Sequence, residues 1–126
     1  MRRFIPLAAA LAALVLPAAA SASPEAPFGH ACTAQSGVRF CPTASDDQRV
    51  PSFDGLPIDV DVTLPVAGTA PYPTIVMLHG FPGSKASFES TDPDGPGAHN
   101  YHFNNTFYAQ QGYAVVNVSS RGFGRS

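Results

Sequence analysis

Charge is scarce in this sequence. Aspartate, glutamate, lysine and arginine make up 13% of its 126 residues and nearly cancel, leaving a formal net charge of −2. Such a chain has no basic stripe with which to hold phosphates, which excludes nucleic acid as a partner. With 44% hydrophobic residues and so little net charge, it also lacks the composition of a disordered segment. Cysteine is equally sparse. Cys32 and Cys41 are the only two, and two cysteines nine apart with only His30 nearby do not make a four-ligand metal set. No apolar run reaches the roughly 20 residues that a bilayer span needs. What the chain has in quantity is proline, 13, and glycine, 11. That suits many turns and short elements, α/β or all-β, and not a helical bundle.

Met1-Arg2-Arg3, the apolar Phe4 to Val15 and the small-residue end Leu16-Pro17-Ala18-Ala19-Ala20-Ser21-Ala22 have the three parts of a secretory signal peptide. Cleavage is expected after Ala22, with no stable membrane insertion afterwards. The surroundings of Arg2-Arg3 do not complete a twin-arginine signal, so the expectation is general export to the extracellular side. Export places Cys32 and Cys41 where a disulfide forms and persists. Residues 23–45 read as an extended linker containing that disulfide loop, and 46–126 as the fold proper.

Arg49-Val50-Pro51-Ser52-Phe53 and Ile58 to Leu64 flank Asp54-Gly55-Leu56-Pro57, whose Asp-Gly chemistry predicts a hairpin. In the second arm Ile58, Val60, Val62 and Leu64 alternate with Asp59, Asp61 and Thr63. This predicts one buried and one solvated face, with Asp59 and Asp61 as solvated charges. Thr74 to Leu78, between Pro73 and a Gly/Pro-rich turn, reads as a strand buried on both faces. Ser84 to Gly97 carries enough breakers to predict an exposed loop. Asp92 and Asp94 lack the other positions of a calcium loop. From about Asn100 to Gln111 the pattern is helical, closed by Gly112, and its aromatic face suits core packing. His99 and His102 lie three apart with no third ligand in view, so no metal site is expected. Tyr113 to Val118 predicts a second buried strand, so that strand, crossover helix and strand require a parallel pair.

The end of the first buried strand, Leu78-His79-Gly80-Phe81-Pro82-Gly83, resembles the His-Gly oxyanion loop of α/β-hydrolases. Gly112 to Ser126, with Ser120-Arg121-Gly122-Phe123-Gly124-Arg125-Ser126 at its end, resembles the strand and turn that follow that loop. With Ser52-Phe53-Asp54-Gly55-Leu56-Pro57 upstream, the set is most similar to the Xaa-Pro dipeptidyl-peptidase and cocaine-esterase-like group of secreted acyl esterases. The resemblance covers roughly residues 46 to 126. It implies an α/β-hydrolase-type mixed sheet, here its N-terminal part and incomplete: a leading hairpin, a buried strand, a helix and a buried strand. It also implies a serine hydrolase that cleaves a small ester or peptide substrate without a cofactor.

Within that resemblance, the backbone N–H of Phe81 is the expected oxyanion donor, and His79 and Gly80 belong to its loop. The group often uses a tyrosine hydroxyl from this neighbourhood, which Phe81 lacks, so the amide is left. A hydrolase of this kind needs a serine on a Gly-x-Ser-x-Gly elbow, then an acid, then a histidine, in that order. Gly122-Phe123-Gly124-Arg125-Ser126 is not the elbow, and His79 comes too early. The expectation is therefore an N-terminal fragment carrying the oxyanion loop without the triad, inactive by itself. Arg121 is expected to be structural, bonding loop carbonyls or a carboxylate under the oxyanion loop. From other classes, a secreted binding module using the 84–97 loop, or an inert truncated product, fits the same residues.

Overall fold

The computed structural model describes residues 26–90, 94, 96–100 and 102–126. The expected signal peptide and Asp92 lie outside them. From residue 33 onward the expected linker is replaced by paired strands. Thr33–Gln35 (β1) and Val38–Cys41 (β2) form an antiparallel hairpin. Ser36 and Gly37 between them both have positive φ, 51° and 74°, the backbone hand that matches strand twist in a two-residue turn. Strands of three and four residues are too short for alternation to register in a sequence. The Cys32–Cys41 disulfide is present, its Cα atoms 4.0 Å apart, and ties the start of the hairpin to its end.

The Asp54-Gly55 turn does make a hairpin, between Val50–Pro51 (β3) and Pro57–Ile58 (β4), with Gly55 at φ 82°. It is a small sheet of its own. Val60–Pro65 (β5), Thr74–Leu78 (β6), the short helix Asn105–Gln110 (α1) and Ala114–Val118 (β7) complete the fold. The main sheet has the order β1-β2-β5-β7-β6. It is mixed: β6 and β7 run parallel, and the other pairs are antiparallel.

Register assigns the faces. Val60, Val62, Leu64, Cys41 and Ala114 form one core, with Val50 and Ile58 of the small hairpin packed against it. On the opposite face Val38, Val115 and Ala109 of α1 form a second core, with Met77 and Tyr108 beside them. Every residue of β5 is buried, so the expected solvated face does not exist. Its polar residues are covered and paired instead. Thr63 accepts a hydrogen bond from Asn105 Nδ2 at 2.8 Å, and Asp59 and Asp61 are only 3% exposed.

The expectation for β6 is also corrected. Its bounds are as expected, but among the described residues it is the edge strand. Val76 and Leu78, which point to the first face, are 58% and 62% exposed. A uniformly apolar strand reports what its faces can tolerate and does not show where it stands in the sheet. The helix is six residues long, shorter than the run from 100 to 111. Asn104 caps it by accepting from Phe107 N at 2.8 Å. Gly112 at φ 94° closes it, with Gly112 N–H on Ala109 O and Tyr113 N–H on Tyr108 O, the two bonds of a Schellman motif.

Candidate functional site

The parallel pair β6–β7 brings two loops to one edge of the sheet. After β6 the chain turns sharply at Gly80-Phe81-Pro82-Gly83, closed by Gly83 N–H on Gly80 O at 2.7 Å. The Phe81–Pro82 peptide is cis. Gly83 sits where a Cβ would stand 2.5 Å from Ser87 Oγ and 3.0 Å from Gly80 O, so only glycine fits the close approach. The Phe81 N–H donates to no acceptor among the described residues. The Phe81 ring, 88% exposed, meets Phe123 edge-on at 5.8 Å, and His79 also meets Phe123 edge-on, at 5.2 Å.

His79 joins the two loops. Its Nδ1–H donates to Gly80 O at 2.9 Å, and its Nε2 accepts the backbone N–H of Ser120 at 3.0 Å. Both bonds together require the neutral imidazole with its proton on Nδ1. The structure thus brings His79, Gly80, Phe81 and the residues after β7 together. Ser126 Oγ accepts from Asp59 N–H at 2.9 Å and donates to Ser119 O at 2.8 Å, so its hydroxyl is engaged in holding this turn. Arg121 makes a bidentate pair with Asp54 at 2.6 and 2.8 Å, reaches Ser52 Oγ at 2.6 Å and lies 5.0 Å over the Phe53 ring. It is structural and binds a carboxylate, but that carboxylate belongs to the turn of the small hairpin and not to the oxyanion loop where it was expected. The guanidinium's hydrogen bonds hold the Asp54 carboxyl below its ordinary range.

Beyond Gly83 the chain is not the exposed loop expected. Ser84 and Ser87 form a reciprocal capping box around a single 3₁₀ turn, Lys85–Phe88. Lys85, the chain's only lysine, points into the sheet. Its Nζ lies 2.7 Å from Asp59 Oδ1 and 2.6 Å from Asp61 Oδ1, and all three side chains are largely buried. Asp61 also accepts from Thr43 N–H at 2.7 Å. Glu89 completes the cluster. Burial, then the charge of Asp61 and a hydrogen bond to it, then Asp59, push its carboxyl up to about 8 against the pull of Lys85. Glu89 therefore keeps its proton at neutral pH.

Lys85 and Glu89 escaped the sequence reading. The available signal was a lone lysine directly after a glycine-rich turn in a chain with two aspartates on one face of an apolar strand. Two further features lie close by. Ile75, Val76, Met77, Leu78, Phe88, Phe103 and Tyr108 line an open apolar groove of about 350 Å³ along β6. Asn104 and Asn117, the asparagines of two Asn-x-Ser/Thr sequences, are buried.

The family model for X-Pro dipeptidyl-peptidase (S15 family) matches residues 54–126. No curated protein and no solved structure matches the chain.

Proposed function

The chain belongs to the X-Pro dipeptidyl-peptidase (S15) family, a family of hydrolases, and on that premise we propose that it is the N-terminal part of a secreted serine hydrolase of α/β-hydrolase fold, with Gly80–Gly83 as its oxyanion loop. The reaction is acyl transfer to water. A serine oxygen attacks the carbonyl carbon of a small ester or an Xaa-Pro peptide. The carbonyl oxygen gains the negative charge and accepts a hydrogen bond from Phe81 N–H. The leaving group departs with a proton from the catalytic histidine, and water hydrolyses the acyl-enzyme. No residue of this chain is assigned as nucleophile, acid or base.

The observation that carries this reading is the Phe81 N–H. It has no acceptor among the described residues and stands at the carboxyl end of a parallel strand pair, where open α/β sheets receive ligands. A fixed amide donor in such a place needs no reorganisation when charge develops, and one such donor is worth about 10²–10³ in rate. The exposed Val76 and Leu78 of β6 support an unfinished sheet, since an apolar edge of this kind is ordinarily covered. Export is supported by the three-part N-terminus and by the disulfide.

The test takes the product secreted by its native host, identified by mass and treated with a fluorophosphonate probe. A labelled protein longer than these 126 residues, hydrolysing an aryl ester or an Xaa-Pro anilide, is the expected result. A stable, unlabelled product of this chain's own mature size would overturn the proposal. It would leave a secreted binding module or an inert truncated product.

A further inference from the structure

We infer that Lys85 is a positioning residue for the oxyanion donor: through Asp59 and Asp61 it anchors the far end of the Gly80–Gly83 turn to β5. The inference rests on the hydrolase reading above for its consequence in catalysis, and on geometry alone for its consequence in the loop.

The donor peptide lies between two fixed points. On the near side His79 ties the turn to Ser120. On the far side only three residues separate Phe81 from Lys85, and Lys85 is held by four separate contacts. Its ammonium reaches both aspartates, its N–H donates to Ser119 Oγ at 3.1 Å, and its carbonyl accepts from Asn117 Nδ2 at 3.4 Å. Ser119 in turn donates its N–H to Asp59 O at 3.0 Å. The backbone contacts locate the turn against β7. The buried ion pairs bind it to Asp59 and to Asp61 of β5, across the face that also holds Asn105 and Thr63. A buried ammonium between two carboxylates is weak evidence for net stability, because desolvation opposes the attraction, yet removing one partner leaves charge uncompensated. What such a cluster does well is define one arrangement. A displacement of about 1 Å at a reacting centre can cost on the order of 10²-fold in rate, which is the precision such an anchor provides.

The charged groups facing Glu89 are Asp61, Lys85 and Asp59, all in the network just described. No group of three or more metal-ligating side chains occurs among the described residues. The Lys85 ammonium is spent on Asp59 and Asp61, so Lys85 acts through the turn and not on the substrate.

The experiment uses the full chain from its native host in three forms: wild type, Lys85→Met, and Lys85→Met combined with Asp59→Asn and Asp61→Asn. Lys85→Met alone strands two buried carboxylates and can fail to fold; the triple variant removes all three charges at nearly constant volume. Two readouts are taken, amide hydrogen exchange over residues 79–84 and the separate values of kcat and KM on an aryl ester. The expected result for the folded triple variant is exchange at 79–84 faster by about tenfold or more. With it kcat should fall by about 10²-fold while KM changes little, the pattern of a contact realised in the transition state. A folded triple variant with wild-type exchange over 79–84 and wild-type kcat overturns the inference. If wild type takes no fluorophosphonate label and has no activity, the hydrolase reading falls, and the exchange comparison still decides whether Lys85 anchors the turn.

Discussion

His79 Nε2 accepts the backbone N–H of Ser120 at 3.0 Å, while the Nδ1–H of the same ring donates to Gly80 O at 2.9 Å. One imidazole thereby fixes the loop after β6 to the turn after β7, two segments 41 residues apart. His79→Ala removes both bonds and leaves Ser120 N–H without its acceptor. The expected cost is about 1–2 kcal/mol in urea unfolding. Amide exchange at Ser120 should rise with it, measurable by NMR on a uniformly labelled sample. Unchanged protection of Ser120 in the variant would show that the ring is not what holds the two loops together.

Glu89 gives the cluster a pH dependence with a definite sign. Its carboxyl, pushed from the ordinary glutamate value of 4.5 up to about 8 by burial and by Asp61, keeps its proton in the folded chain where the unfolded chain has released it. The folded state therefore binds more protons between these values, and stability falls as pH rises through that window, levelling off above it. Glu89→Gln has no proton to release and still offers a donor to Asp61. The Tm of the variant should gain steadily on wild type from about pH 5 to about pH 8 and run parallel to it beyond. Curves that stay parallel across the whole range would mean that Glu89 ionises normally in the folded protein.

Much of the fold is written in short-range patterns. The Asp54-Gly55 hairpin, the bounds of β6, the presence of β7 one residue shorter than expected, their parallel pairing and the Gly112 closure all follow from turn chemistry and apolar runs, and the structure has each. The misses share one cause. Asp59, Asp61 and Thr63 alternate with apolar residues as a half-wet strand would, but α1 and the 3₁₀ turn cover that face and bring Lys85 and Asn105 to meet them. Alternation records polarity; whether a polar face meets water or a buried partner depends on elements 24 to 42 residues further along the chain. β6 erred in the opposite direction, its apolar residues saying nothing of its edge position. In the candidate site, His79, Gly80 and Phe81 were legible because glycine and proline mark the turn. Lys85 was not, because a lysine in a loop looks solvated until its partners are placed.

Arg121 and Asp54 provide a test of how the small hairpin is held to the turn after β7. The guanidinium bonds both carboxylate oxygens, at 2.6 and 2.8 Å, and these bonds favour the ionised carboxyl. Asp54 is expected to titrate below the ordinary carboxylate range in wild type and to return to it in Arg121→Gln, followed by the carboxyl ¹³C shift. The pair is solvent-accessible, so its effect on Tm should be small and should shrink with added salt. An Asp54 titration identical in the two proteins would remove this contact from solution.

Val76 and Leu78 stand exposed beside the edge of β6 that no strand among the described residues pairs. An apolar edge strand with free backbone groups is a template for pairing with another chain. A protein comprising residues 26–126 is expected to self-associate with rising concentration in sedimentation velocity. Val76→Lys with Leu78→Lys should suppress that association, because charged side chains at an edge oppose strand addition, without loss of the Asp59–Lys85 cluster on the opposite face. Association that persists undiminished in the double variant would place the contact elsewhere on the molecule.

The Cys32–Cys41 disulfide closes a loop of about ten residues around β1 and β2, and in the chain-entropy model this restricts the unfolded chain by roughly 2.5–3 kcal/mol. The two cysteines contribute differently to the folded state. Cys41 is completely buried between Val62 and its neighbours and aligned with Val62 in the β2–β5 register, whereas Cys32 precedes the exposed strand β1. Cys32→Ala with Cys41→Ala should therefore lower the urea midpoint by an amount equivalent to about 2.5–3 kcal/mol, with a further loss of roughly 1 kcal/mol for the volume removed at Cys41. Hydrogen exchange should divide the sheet: amides of β1 lose protection, while β2, paired to β5 through Val38 and Cys41, keeps most of it. Equal loss in β1 and β2 would mean that the disulfide, and not pairing to β5, is what joins the hairpin to the sheet.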